Sequence, residues 1–172
     1  MAKFNARGID GLTLSYEEFT QIPDEIVDEM LEAGSKVVVE AHKAKIRELG
    51  LISEAERPIH LVDSIKAFHK AGGAQNGWQR YVLVYPAGKH GTRKRRLVTK
   101  EYKRSKHGRT YTYGGDVKDV TNNEVGFIQE YGAPKKGIRA KQWMRLANEE
   151  CAKAMVDAEF AVYDRWLKSK NL

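Results

Sequence analysis

A chain of 172 residues is long enough to bury a core of its own, and 41% hydrophobic with 31% charged residues excludes a disordered composition. No apolar run approaches the roughly 20 residues needed to span a bilayer. The polar opening MAKFNARGID lacks the apolar centre of a signal peptide, so a cytoplasmic product is expected. The net charge of +7 is uneven: Lys89 to Arg109 holds ten Lys/Arg against one acid, Glu101, and the rest of the chain is nearly neutral.

Met1 to Leu14 places Ile9, Leu12 and Leu14 around two glycines and suits an edge strand. Ser15 with Glu18 has capping-box spacing, which predicts a helical turn over Tyr16 to Gln21. Pro23 followed by Asp24 and Glu25 opens a long helix, with apolar residues at Ile26, Val27, Met30, Leu31, Val37, Val38, Ala41, Ala44 and Ile46, held to about Leu49. Gly34 inside it predicts close approach of another element, and Gly50 is the natural stop.

Pro58 interrupts the following segment, and LVDSIKAFHK reads as a short helix or a strand, ended by Ala71-Gly72-Gly73. His60 and His69 are nine residues apart and lack the spacing of a ligand pair on one helix. Within Trp78 to Gly88, the run Tyr81 to Tyr85 predicts a mostly buried strand ending at Pro86. The basic segment follows. RRLVTKEYKR and RTYTYGG flank the turn residues Ser105 to Gly108, which predicts a projecting hairpin arm over about 89 to 114. Its long cations alternate with residues such as Val98, Tyr102, Tyr111 and Tyr113.

Thr121 and Glu124 repeat the capping-box spacing and open a short helix ending near Gly132. A loop with Pro134, Lys135, Lys136 and Gly137 then leads to a last helix over about Arg139 to Lys168. One apolar stripe on it is Trp143, Ala147, Cys151, Ala154, Met155, Ala158, Val162 and Trp166; a second is Val156, Phe160, Tyr163 and Leu167. Cys151, the only cysteine, excludes an internal disulfide and a thiolate metal cluster, and its apolar position favours a buried small hydrophobe. The expected architecture is a single α+β domain over 1 to 172: long helices at about 23–49 and 139–168 packed on a small, mainly antiparallel sheet, with the basic hairpin as an arm.

No catalytic, cofactor or metal residues stand out. Paired loop acids near a histidine, Gly-x-Ser-x-Gly and phosphate loops are all missing from the sequence, so an enzyme is not expected. Glu130, beside Tyr131 and before the lysines, reads as a salt-bridge partner rather than a catalytic carboxylate.

Taken together, the order of elements and two short motifs resemble the neck or tail-completion family of tailed bacteriophages, which includes minor tail and head-tail joining proteins. The family pattern has a Gly-x-Leu-x-x-Ser-Ile-like segment after its long helix, then Glu-(Tyr/Phe)-Gly-Thr. A basic loop and Ala-Arg-Pro-Phe-(Met/Leu)-Arg-Pro-Ala follow. Glu130, Tyr131 and Gly132 match the first of these motifs, with Ala133 for threonine. Ala140, Trp143, Met144, Arg145 and Ala147 match the second, with Lys141 for arginine and with Gln142 and Leu146 for both prolines. Leu61, Ser64 and Ile65 match the middle segment, with Ile59 for its glycine. The resemblance covers most of the chain outside Gly88 to Asp119.

The resemblance implies a structural virion protein: a ring at the head-proximal end of the tail, joining it to the head connector. It implies six or twelve copies in that ring and neighbours among head-closure or connector and tail-terminator or tail-tube proteins. The location implied is the virion neck, with host cytoplasm during assembly and no membrane. Glu130, Tyr131, Gly132, Ala140, Trp143 and Arg145 would form the structural joint, with Tyr131 and Trp143 as its buried anchors. Lys135, Lys136 and Arg139 are either solvated or in contact with an acidic neighbour. Arg93, Lys94, Arg95, Arg96, Lys100, Lys103, Arg104, Lys106 and Arg109 on the hairpin admit three readings: contact with a neighbouring subunit, non-specific contact with packaged DNA in the channel, or a solvated loop. The competing class is a free, sequence-independent nucleic-acid-binding protein using the same hairpin, to which the pI near 9.4 also points.

Overall fold

The computed structural model describes residues 22–70, 80–95, 98–101, 110–113 and 115–170, with the backbone alone at 98–101 and 110–113. The expected edge strand and helical turn before Ile22, the hairpin turn at Ser105 to Gly108, and Tyr102 lie outside the described residues. The fold is α+β. Its elements in order are α1 (Asp24–Glu48), β1 (Ile65–Lys70), β2 (Tyr81–Pro86), β3 (Lys89–Lys94), β4 (Val98–Glu101), β5 (Thr110–Tyr113), β6 (Val117–Thr121), α2 (Asn122–Tyr131) and α3 (Trp143–Ser169). The chain divides into two compact units, one made of 39–66 with 84–150, the other of the residues before, between and after these.

Helix α1 begins where Pro23 places it. The Pro23 carbonyl accepts from the N–H groups of Ile26 and Val27 at 3.0 and 3.2 Å, and Asp24 and Glu25 occupy the positive end. Its far end closes on Gly50, which has φ +62°. Gly50 N–H reaches the Arg47 carbonyl and Leu51 N–H the Ile46 carbonyl at 3.1 and 3.0 Å, the paired bonds of a Schellman motif. Leu51 then packs with Ile46 on the core, the apolar contact that accompanies such an ending.

In the unit containing 39–66 and 84–150, Ile46, Leu61, Val62, Ile65 and Trp143 form the buried cluster, flanked by Val39, Leu49, Val84, Val125 and Met144. LVDSIKAFHK resolves into both of its alternatives, a single 3-10 turn at Val62–Ser64 and then strand β1. Ser64 is fully buried, and its hydroxyl donates to the Leu61 carbonyl at 2.6 Å, so the polar group carries its own partner into the core. Lys45 is also buried and is held between Glu48 and Glu150 at 2.7 and 2.6 Å, which raises its pKa through those two carboxylates.

Two features depart from expectation. Strand β2 is half exposed rather than mostly buried: Tyr81 and Leu83 are on the surface while Pro86 is buried, so the continuous run of β formers hides an alternation. The hairpin is also longer than 89 to 114, because β3 pairs antiparallel with β6 as well as β4 with β5. Past an irregularity between Lys89 and Gly91, both ladders keep one register. Lys94 faces Val117, and four residues further along each strand Val98 faces Tyr113. Arg95 N–H to Asp116 O and Gly115 N–H to Arg95 O carry the ladder across the gap at 2.9 and 3.1 Å. Strand β6 was hidden because its apolar residues, Val117 and Val120, are three apart among charges, which breaks the period of two.

In the other unit the carboxylates of Asp24 and Asp28 grip the Arg80 guanidinium, and Arg165 reaches Glu29 at 3.5 Å. A Cβ at Gly34 would overlap the carboxyl of Glu159, which is the close approach the helix glycine predicts. Burial raises the Glu159 pKa. On α3 the two predicted stripes divide differently from expectation: Cys151, Val162, Tyr163 and Leu167 are buried, whereas Ala154, Val156 and Phe160 are exposed.

Candidate functional site

The joint between α2 and α3 is built from the motif residues. Helix α2 is capped at its start by Thr121, whose hydroxyl accepts from Glu124 N–H at 3.2 Å. The Glu124 carboxylate bonds Lys118, and that cation, with the nearby Thr121 backbone, lowers its pKa. The Thr121 bond is the helix-capping half of the box that the spacing predicts.

At the other end, Gly132 has φ +76° and its N–H bonds the Ile128 carbonyl at 2.8 Å. A Cβ there would lie 2.7 Å from Ala140 N and 2.8 Å from Ile138 O, so Ala140 matters through its backbone position. The loop folds back on itself: Ala133 and Ile138 form a bridge around a single 3-10 turn, Pro134–Lys136, and Gly137 closes it at φ +69°. Gly132→Ala is expected to cost about 2 kcal/mol or more, from backbone strain together with a clash against backbone that cannot rotate away. A denaturant titration would measure it.

Helix α3 starts at Trp143, four residues later than the expected Arg139. The delay has a local cause. Lys141 and Gln142 donate their N–H groups to the Gln129 and Glu130 carbonyls at 2.7 and 3.2 Å, holding them outside the helix. Gln142 has φ +51°, the one positive value among the described non-glycine residues. Proline, with φ fixed near about −65°, could not adopt this conformation at position 142.

With no capping side chain of its own, α3 receives one from α2. The Glu130 carboxylate, 5% exposed, accepts from the N–H groups of Met144 and Arg145 at 2.7 and 3.3 Å. Those are the second and third positions of the helix, the donors an N-cap would satisfy, and the helix dipole favours the negative charge there. The expected salt bridge is thereby corrected: Glu130 makes no ion pair among the described residues and serves backbone donors instead. Arg145 points outward to Glu149 at 3.4 Å.

Trp143 is fully buried and its Nε1 donates to the Gly126 carbonyl at 3.1 Å. Gly126 leaves room for it, since a Cβ there would meet Pro86 at 2.8 Å, Trp143 at 3.4 Å and Leu61 at 3.6 Å. His42 packs edge-on against the indole, with ring centroids 5.3 Å apart, and bonds Asn148 Oδ1 through Nε2 at 2.8 Å. The other expected anchor is not one: Tyr131 is 64% exposed and lies against exposed Phe127 on the α2 surface, with centroids 4.5 Å apart. As the last residue of α2, it falls on the face turned away from Gly126 and Glu130.

Burial lowers the His42 pKa below the ordinary 6.5, against opposing pulls from Asn148 and the Glu130 carboxylate. A histidine whose folded pKa is depressed stabilises the fold while neutral. That contribution is complete above the unfolded value and is lost as pH falls through 6.5 towards the folded one. The variant His42→Gln should therefore flatten the decline in unfolding free energy between about pH 7 and pH 5, measured by urea melts across that range.

A second buried polar centre went unnoticed in the sequence. Asn122, fully buried at the start of α2, donates to the Ile59 and Ala87 carbonyls at 3.1 and 3.5 Å, and its Oδ1 faces His90 Nδ1 at 2.9 Å. Its own N–H bonds the Gly88 carbonyl at 2.9 Å. It ties the Ile59 segment and the start of α2 to the base of the hairpin, Ala87 to His90. Only its place directly after the Thr121 cap could have marked it.

On the hairpin, Arg93 and Lys94 are exposed on β3, and Arg95 lies 3.7 Å from Asp116. Lys89 pairs with Asp119 at 2.8 Å and Lys118 with Glu124, so acids accompany the cations of the proximal ladder. Lys100 lies on β4 with its side chain outside the described atoms, as do the side chains of Tyr111 and Tyr113 on β5; Arg96, Lys103, Arg104, Lys106 and Arg109 lie outside the described residues. Beyond Arg95 the sequence carries six Lys/Arg and one acid before Asp116, so the larger share of the charge excess lies in the distal half.

No protein-family model, curated protein or solved structure matches the chain. Among the described residues, no group of histidine, cysteine and carboxylate side chains could hold a metal ion, and no helix is long and apolar enough to cross a membrane. The joint fixes the angle between two helices and leaves Phe127 and Tyr131 exposed on the α2 surface.

Proposed function

We propose that the chain is a structural subunit of a phage neck, a tail-completion protein that forms a ring at the head-proximal end of the tail and joins it to the connector. One observation carries this reading. Two motif segments far apart in the sequence meet at Gly126, with Leu61 and Trp143 packed against it and Ser64 and Ile65 buried beside Leu61, and Glu130 of the third caps the helix that Trp143 begins. Of the residues that match the family pattern, Leu61, Glu130, Gly132 and Trp143 hold the corner, while Tyr131 and Arg145 face outward. Closed rings of identical subunits need heterologous contacts, and the two-ladder hairpin and the exposed aromatic surface supply material for them.

In this reading the proximal hairpin is a partly ion-paired stalk and the distal half a more strongly cationic tip. The tip either adds to a neighbouring subunit or lines the DNA channel, where it would contact phosphates without reading sequence. The same concentration of charge favours the second reading, a free nucleic-acid-binding protein. Deletion of the protein from particles separates the two. Complete but unjoined heads and tails are expected, whereas intact infectious particles would overturn the neck role. If the tip meets DNA, binding by purified protein should weaken steeply with salt, and affinity indifferent to salt would remove that contact.

A further inference from the structure

An open groove of about 560 Å³ lies between α2, the β3–β6 ladder and the Pro134–Lys136 turn. Val120, Ile128 and Phe127 give it an apolar floor, and Arg93 and Lys136 stand on its rim. Phe127 is 59% exposed and is continued by the Tyr131 ring beside it, an aromatic patch larger than scattered surface residues require. The acid in its lining, Glu124, is already engaged by Lys118. Neither Arg93 nor Lys136 makes an ion pair with a described residue, so the groove presents apolar surface with positive charge.

The same unit carries the complementary surface. After the Gly50 stop, Ile52 is exposed, and Glu54 and Glu56 are exposed without an ion pair among the described residues. Ser53 Oγ accepts from Ala55 N–H at 3.3 Å and shapes this loop. It offers one bulky apolar side chain with two carboxylates close behind it, the counterpart of an aromatic floor rimmed by two cations.

We infer that the groove takes the Ile52–Glu56 loop of a second copy of this chain, with Ile52 against Phe127 and Ile128, and Glu54 and Glu56 beside Arg93 and Lys136. The inference rests on the ring reading, since a groove on one copy and a loop on the next make the head-to-tail contact a ring requires. The volume suits a short loop rather than a whole interface, so this contact orients neighbours and acts with others.

Charge exchange tests it. Self-association of the purified full-length chain is followed by sedimentation and native mass measurement, with thermal melts to confirm that each variant folds. Lys136→Glu and Glu56→Lys should each weaken association about fivefold or more, by setting like charges against each other. Placed together in one chain they should restore it to within about twofold of the original, and Phe127→Ser should weaken it without rescue. A double variant no better than either single one overturns the inference. So does a chain that stays monomeric while Phe127→Ser still blocks head-tail joining, which would assign the groove to a different neck protein and leave the neck reading intact. Joined particles after deletion of the protein would remove the neck reading, while the charge-exchange result still decides the self-contact.

Discussion

Trp143→Ala should lower the unfolding free energy by about 3–5 kcal/mol, the range for removing a large buried aromatic from a close-packed core. The upper part of that range is expected because three things are lost together. The cavity opens beside Ile46, Leu61 and Ile65 in the main buried cluster. The Gly126 carbonyl loses its indole donor, and His42 loses the ring it packs against. Gly126 deepens the loss, since it has no side chain with which to fill the space. Trp143→Phe separates these contributions. It retains most of the packing and gives up the hydrogen bond, so it should cost about 1–2 kcal/mol. Chemical denaturation of both variants measures the difference, and equal losses would show that the indole N–H, rather than the bulk of the ring, carries the site.

Glu130→Ala should cost about 2–4 kcal/mol, because it leaves two N–H groups at the first turn of α3 without their acceptor in a buried position. Glu130→Gln keeps an oxygen for one of them but removes the charge that the helix dipole favours, and about half the loss should return. The two variants share a signature that simple loosening of the loop would not produce. The Glu130 carboxylate raises the His42 pKa, so neutralising it should move the His42 titration to lower pH in both. An NMR titration of the imidazole reads this directly, and an unmoved His42 would show that the carboxylate is not felt there.

Local chemistry was legible in the sequence wherever a few neighbouring residues decide the structure. Pro23, Gly50, Thr121 with Glu124, and Gly132 each end or begin a helix where their residue types demand. Leu61, Ser64, Ile65 and Trp143 were recognisable as important, and they are buried. What escaped depends on partners distant in the chain. Tyr131 follows Glu130 directly, yet one side chain is solvent-exposed and the other caps a helix, because adjacent helical residues point about 100° apart and only packing chooses between them. Asn122 is a polar residue whose burial becomes tolerable only when Ile59, Ala87 and His90 converge on it. Strand β6 is a strand because β3 lies beside it, and no pattern within VKDVT requires that.

The exposed turn at Pro134–Lys136 looks like the hinge of the joint, but the angle between α2 and α3 does not depend on it. Gln129, Glu130 and Gly126 hold Lys141, Gln142, Met144, Arg145 and Trp143 by hydrogen bonds that bypass the loop. Covalent continuity through the turn should therefore be dispensable. A chain cut between Lys135 and Lys136 should keep the same corner, with the new ends emerging at the mouth of the groove, where a label could report on whatever docks there.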